Sequence, residues 1–303
     1  MRLVVALGGN ALLRRGEPFT AEAQDANIAV AARAVAALAE QHDVIVTHGN
    51  GPQVGLLALQ AAAFDAESPW PLDLLGAESE GMIGYLIERA LIGHLPGRPL
   101  ATLLTQVEVA ADDPAFANPS KPIGPVYDAE ARTRIEASRG WPMAPDGTGW
   151  RRVVPSPAPV RILEILTIRH LIAEGILVIC AGGGGIPVIV GPRGTVHGVE
   201  AVIDKDRTAA LLARDVGADG LLLLTDVDAV YRDWGTEARQ PIGETTTEEL
   251  AALELDPGSI GPKVGAACEF VSATGNFAGI GRLADAGAIL SGESGTRLGR
   301  LPA

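Results

Sequence analysis

Cysteine is scarce in this 303-residue sequence. Only Cys180 and Cys268 are present, so no disulfide framework can staple the chain. Aromatic residues make up 4%. Positive charge is in the minority, with 24 Lys and Arg against 37 Asp and Glu and a net charge of −13. Such a surface repels phosphate polymers and anionic membranes, which argues against nucleic-acid binding. Long apolar runs are missing as well. The run Leu3 to Leu7 is too short for a secretory signal, and the uncharged stretch from Gly175 to Pro192 contains Gly182-Gly183-Gly184-Gly185 and two prolines, unlike a membrane helix. These absences predict a cytoplasmic protein without a membrane partner. Several catalytic signatures are lacking too: no G-x-x-x-x-G-K-[ST], no strict G-x-G-x-x-G, no G-x-S-x-G, no H-E-x-x-H and no C-x-x-C. Serine hydrolase and structural zinc chemistry therefore drop out.

What is abundant is glycine, 37 of 303 residues, and hydrophobic residues, at 47%. A chain of this length buries roughly 73% of its unfolded surface on folding. The glycines follow short apolar runs. Leu3 to Leu7 reads as a buried strand ending in Gly8-Gly9-Asn10. Val44 to Thr47 is a second strand, ending in His48-Gly49-Asn50-Gly51, with Pro52 placed where a helix begins. Ile176 to Ile179 is a third, ending in Gly182 to Gly185. Leu221 to Leu224 is a fourth, ending at Thr225-Asp226-Val227-Asp228. Helical stretches separate them, including an alanine-rich one from Thr20 to Gln41. Continuous apolar strands alternating with helices predict an α/β fold, a mostly parallel open sheet covered on both faces.

Residues 112–160 differ in texture. They hold nine of the 21 prolines and two of the four tryptophans, and their six basic and six acidic residues balance. We expect an inserted lid subdomain here; composition alone fits a long surface loop equally well.

In an open parallel sheet, ligands bind beyond the carboxyl ends of the strands. A single glycine turn there is ordinary strand-to-helix geometry. Three of them suggest a cradle of backbone N–H groups for a polyanion. Two lysines strengthen that reading. Lys205 lies between Asp204, a candidate N-cap, and Asp206, at the start of a helix running to Val216. Lys263 follows Pro262 at the start of another. A lysine in a first helical turn is mildly unfavourable, by ~0.3–1 kcal/mol, unless an anion binds beside it. For either one alone, a solvated side chain is the plainer reading. Lys121, in the proline-rich stretch, is a third candidate. Asp226 and Asp228 fit a turn cap better than a Mg²⁺ chelate, His48 fits a ligand contact or a structural role equally, and both cysteines read as inert core residues.

Six stretches together resemble carbamate kinase: Val5 to Ala11, Thr47 to Gly55, Asn118 to Pro125, Trp150 to Pro157, Gly182 to Pro187 and Gly198 to Asp206. The glycine turns alone would indicate only the wider amino-acid kinase superfamily. The resemblance implies a single domain over 1–303 with a three-layer αβα sandwich, a lid at 112–160, a mainly nucleotide-binding part at 202–303, and a homodimer. It implies reversible phosphoryl transfer between ATP and carbamate, usually run toward ATP as in arginine breakdown. It further implies that Gly8, Gly9 and Asn10 line the transfer site. Gly49, Asn50 and Gly51 would hold carbamate or carbamoyl phosphate. Lys205 and Lys263 would bridge the phosphoryl group, with Asp206 orienting them, and Lys121 would reach in from the lid. Gly183, Gly184, Asp204, Thr225, Asp226, Val227, Tyr231 and Lys263 would face the nucleotide, whose phosphates carry Mg²⁺. Three positions depart from the expected pattern: Thr47 for serine, Ile260 for methionine, and Gly265 for a better helix former. The alternatives are a kinase of another carboxylate or phosphate, and a catalytically silent nucleotide or oxyanion binder.

Overall fold

A computed structural model describes residues 1–13, 17–65, 67–256 and 260–300, with Asn10 and Ala11 described by their backbone alone. The alternation of strand side chains explains the layers. In the strand Arg2–Leu7, Leu3, Val5 and Leu7 enter one core, while Val4 and Ala6 enter another on the opposite face. The first core is closed by Ile28, Ala31 and Val35 of the helix Ala21–Ala39 and by Ile83, Ile87 and Leu91 of the helix Leu72–Ile92. The second is closed by Ala209 and Leu212 of the helix Lys205–Asp215 and by Ala267 and Phe270 of the helix Ile260–Thr274. Burying each large apolar side chain contributes about 1.5–3 kcal/mol, so a sheet covered twice is strongly favoured over one left open.

The main sheet has eight strands, in the order Glu244–Thr245, Thr296–Leu298, Phe277–Arg282, Gly220–Thr225, Arg2–Leu7, Asp43–His48, Leu177–Ile179, Leu100–Thr102. Every neighbouring pair is parallel except Thr296–Leu298 against Phe277–Arg282. The three strands that end in glycine turns, Arg2–Leu7, Asp43–His48 and Leu177–Ile179, are therefore adjacent and point the same way. Among the described residues no helix is long and apolar enough to cross a membrane.

Local signals set the helix starts. Thr20 Oγ1 accepts the N–H of Ala23 at 3.2 Å, and Pro52 occupies the first turn of the helix Gly51–Phe64. Asp204 caps the helix Lys205–Asp215 by accepting the N–H groups of Asp206 at 2.9 Å and Arg207 at 3.3 Å.

The proline-rich stretch contains an antiparallel sheet of its own, Lys121–Tyr127, Gly149–Val154 and Met143–Asp146, with the helix Ala129–Arg139 capped by Asp128 and closed by left-handed Gly140. This small sheet docks on the helix Gly51–Phe64. Ile123 and Val154 pack with Val54, Ala58, Leu72, Leu75 and Val202 in a third, smaller core. The approach is close because glycine faces glycine. A Cβ on Gly55 would stand 2.0 Å from Gly124 Cα, and Gly124 has φ of +73°. A further sheet pairs Val196–Gly198, Ile186–Val190, Gln106–Val109 and Pro159–Ile162.

Candidate active site

The three glycine turns meet at the carboxyl edge of the sheet. The N–H of Gly8 donates to Leu224 O at 2.8 Å, and that of Gly49 to Leu7 O at 2.9 Å, so the first two turns are tied to their neighbouring strands. A Cβ on Gly49 would lie 3.0 Å from the Gly9 nitrogen and 3.5 Å from Lys205 Cδ. A Cβ on Gly183, which has φ of +67°, would lie 2.1 Å from Asn50 Nδ2. The first turn thus touches the second, the second touches the third, and Lys205 leans against them. Gly51 opens the following helix, and Gly184 packs on Ile203. Gly9 and Asn10 lie in the short helix Gly9–Leu12; the Asn10 side chain falls outside what the structure describes.

The lysines are not solvated. Lys205 is 8% exposed, and the side chain of Lys263 12%. Lys205 pairs with Asp206 Oδ1, and Lys263 Nζ lies 3.3 Å from Asp206 Oδ2, so one carboxylate holds two ammonium groups beside the starts of two helices. Lys121, from the small sheet, pairs with Asp204. Three ammonium groups against two carboxylates leave one positive charge in excess. For Lys205 and Lys263 the plainer reading as a surface side chain fails for a tertiary reason: helices distant in sequence bring their starts together.

Charge is tightly constrained here. Burial works against ionising Asp204, but the Lys121 ammonium, with help from Lys205 and the Arg207 N–H, more than offsets it and holds the carboxyl below its ordinary range. Asp206 shows the same balance. Burial opposes its charge, Lys205 and Lys263 outweigh that, and its pKa falls. Burial lowers the pKa of Lys205, against the pull of Asp206.

Thr225 ends the strand beside the first turn, with its Oγ1 3.8 Å from the position of a Cβ on Gly8. Its hydroxyl donates to Asp226 Oδ1 at 3.0 Å. Asp228 Oδ2 accepts from Tyr231 Oη at 2.9 Å, and half-buried Val227 lies between the two aspartates. Asp226 and Asp228 are thus engaged within their own loop, and among the described residues no cluster of three or more His, Cys, Asp or Glu forms a metal cage.

His48 is 1% exposed. Its Nδ1 lies 3.1 Å from Gly49 O, and its buried Nε2 has no hydrogen-bond partner among the described residues. Burial, with the nearby Lys205 charge, pushes its pKa down to about 4, so the imidazole is neutral. Cys180 is buried and burial pushes its thiol up, while Cys268 is half-buried; both fit an inert role. Thr47 keeps its hydroxyl in use, donating to Ala181 O at 2.8 Å. Ile260, the first residue of the Lys263 helix, packs against the core.

Two residues of this site escape a motif search. Ser79 and Glu80, on the helix Leu72–Ile92, are 0% and 1% exposed and hydrogen-bond to the second and third turns. Burial pushes the Glu80 carboxyl up to about 8, against two N–H donors that favour its charge. The available signal is positional: Glu80 occupies the same helical stripe as Ile83, Ile87 and Leu91, where a charged residue has no reason to be unless it has partners.

Comparison with known proteins fits this geometry. The model of the amino acid kinase family matches residues 1–276. The chain belongs to the amino acid kinase family. The carbamate kinase of Rhizobium meliloti is 56% identical over 299 residues, covering 98% of this chain and 92% of the relative, and that of Escherichia coli K12 is 51% identical over 294 residues, covering 97% and 98%. The solved carbamate kinase of Giardia lamblia bound to citric acid superposes with a TM-score of 0.91 at 40% identity, covering 98% of each chain, and a form bound to AMP-PNP with 0.87 at 39%, again covering 98% of each. Within the family, the chain therefore groups with the carbamate kinases.

Proposed function

We infer that the protein transfers a phosphoryl group reversibly between ATP and carbamate, giving ADP and carbamoyl phosphate. The observation that carries this reading is the buried cluster of Lys205, Lys263 and Asp206 facing three contiguous glycine turns. Carbamate is already an anion with a nucleophilic oxygen, so no proton has to be removed. The obstacle is repulsion between two negatively charged reactants. Catalysis of such a transfer is largely positioning and charge neutralisation, which ammonium groups and backbone N–H groups provide. A buried His48 with a pKa of about 4 is a weak proton acceptor, consistent with chemistry that needs no base.

Lys205 and Lys263 would bridge the moving phosphoryl group, and Asp206 would hold both in place. Gly8, Gly9 and Asn10 would line the transfer point, and Gly49, Asn50 and Gly51 would bind the carbamoyl end. Gly183, Gly184, Asp204 and the Thr225–Tyr231 segment would face the nucleotide, within a nucleotide-binding part spanning 202–303. Mg²⁺ would arrive on the nucleotide phosphates as part of the substrate. This suits carboxylates already engaged by ammonium groups. Residues 112–160 would act as a lid carrying Lys121. Flux would run toward ATP, because carbamoyl phosphate is a mixed anhydride, with arginine breakdown as the setting, and the protein would work in the cytoplasm. A homodimer is supported by exposed Met82, Tyr85 and Ile92 on one face of the helix Leu72–Ile92.

The decisive experiment is a coupled assay of ATP formation from ADP, carbamoyl phosphate and Mg²⁺, with acetyl phosphate as the competing acyl phosphate. Carbamoyl phosphate should be strongly preferred. A preference for acetyl phosphate would point to another carboxylate kinase. Nucleotide binding without turnover would point to a silent binder.

A further inference from the structure

Behind the cradle lies a second layer of buried polar groups that the transfer reaction does not use directly. Ser79 Oγ accepts from Asn50 Nδ2 at 2.8 Å and donates to Gly76 O at 2.8 Å. Next to it, Glu80 Oε1 accepts the N–H of Gly182 at 2.8 Å, and Oε2 accepts the N–H of Thr105 at 3.2 Å. Thr105 Oγ1 in turn accepts the N–H of Ala181 at 2.9 Å. Ala181 is held in the left-handed region, with φ of +53°, just before the third turn. A non-glycine residue persists there only when its surroundings fix it.

We propose that Ser79 and Glu80 are positioning residues, Ser79 fixing Asn50 of the second turn and Glu80 fixing Gly182 of the third, so that one helix sets the spacing of the cradle. The proposal rests on the phosphoryl-transfer reading above. Both side chains are buried and hydrogen-bond to Asn50, Gly76, Gly182 and Thr105. Both act through the backbone and through Asn50. A carboxyl group suits the Glu80 position because its two oxygens accept from two separate segments at once, which no apolar side chain can do. The turns also have no slack. A Cβ on Gly182 would stand 2.3 Å from His48 Nε2 and 3.0 Å from Glu80 Cγ, and one on Gly183 would overlap Asn50. Displacing the third turn therefore displaces the second.

The test compares variants of similar volume. Glu80→Met keeps the bulk and loses both acceptors, whereas Glu80→Gln keeps one acceptor for Gly182. Glu80→Met should lower kcat for ATP formation roughly 10- to 100-fold, as expected when a reacting group is misplaced by about 1 Å. Glu80→Gln should recover most of that. Hydrogen exchange over residues 181–186 should quicken in Glu80→Met and stay slow in Glu80→Gln. Ser79→Ala should raise KM for carbamoyl phosphate about 2- to 12-fold, the worth of one hydrogen bond, with KM for ADP unchanged. Equal kcat and equal exchange in the two Glu80 variants would overturn the proposal, because a packing role is served by either side chain. Should Glu80→Met not fold, an unchanged KM for carbamoyl phosphate in Ser79→Ala overturns it instead. A wild-type protein that forms no ATP from carbamoyl phosphate would defeat the functional reading alone, and the exchange measurement would still decide the role of Glu80.

Discussion

Gly55→Ala adds one methyl group where two backbones meet. Gly55 lies in the helix Gly51–Phe64, and Gly124 in the strand Lys121–Tyr127 of the small sheet. The new carbon would stand 2.0 Å from Gly124 Cα, 2.2 Å from its nitrogen and 3.2 Å from the carbonyl carbon of Ile123. Carbon atoms pack at about 3.5–4.0 Å, so the strand must retreat by about 1.5 Å. No flexible side chain is available to absorb this, since the obstructing atoms are backbone. Overpacking of this kind costs about 1–3 kcal/mol. The strain falls on the docking of the small sheet, away from the main sheet, so the thermal midpoint should drop by only a few degrees. Catalysis should suffer far more. Lys121 lies three residues from Gly124 on the same strand, and its pairing with Asp204 fixes it beside the cradle. A displacement above 1 Å should lower kcat about 100-fold. Steady-state ATP formation, read beside a thermal melt of the same preparation, measures both. A variant with wild-type kcat and an unchanged melt would refute the claim that the small sheet is held by this contact.

Lys205→Ala should lower kcat by roughly 10²–10³, as removal of a donor to a developing charge does, and near-normal turnover would remove Lys205 from the mechanism. His48 should make the fold acid-sensitive. Its pKa of about 4, against 6.5 for the free side chain, means that the unfolded chain takes up a proton which the folded protein refuses. The His48 contribution to stability should therefore fall as pH drops from 6.5 toward 4, by about 2 kcal/mol at pH 5 and about 3 in full. Urea unfolding of wild type and His48→Gln isolates the effect. Glu80, with its pKa raised to about 8, works in the opposite sense by losing stability as pH rises from 4.5 to 8, and it is common to both proteins. Equal pH slopes in the two proteins would contradict the assignment. Gly265→Ala should raise stability by up to ~1 kcal/mol, because Gly265 is exposed within the helix Ile260–Thr274 and a Cβ there meets nothing within 4 Å. An unchanged or lower melting temperature would count against it.

The parts of this molecule governed by neighbours in sequence could be read directly from it. Apolar runs ending in glycine marked the three adjacent parallel strands, Pro52 and Thr20 marked helix starts, and Asp204 announced the cap of the Lys205 helix. Groups paired across the fold could not be read that way. Lys263 reaches Asp206 over 57 positions and Lys121 reaches Asp204 over 83, so periodicity carries no trace of either pair. The four-stranded sheet containing Gln106–Val109 and Ile186–Val190 was also silent, since its strands are short and come from distant stretches. The antiparallel Thr296–Leu298 went unread for the same reason. Glu80 was hidden in plain view, as one carboxylate among 37 acidic residues.

The aspartates beside the three lysines have a consequence for how ligands arrive. Two carboxylates shared among three ammonium groups leave a single net positive charge, so the site gathers little dissolved chloride or phosphate to itself while waiting. An incoming phosphate meets that one excess charge and displaces few ions into solution. Raising the ionic strength should accordingly weaken substrate capture much less than it would for three bare ammonium groups at a surface.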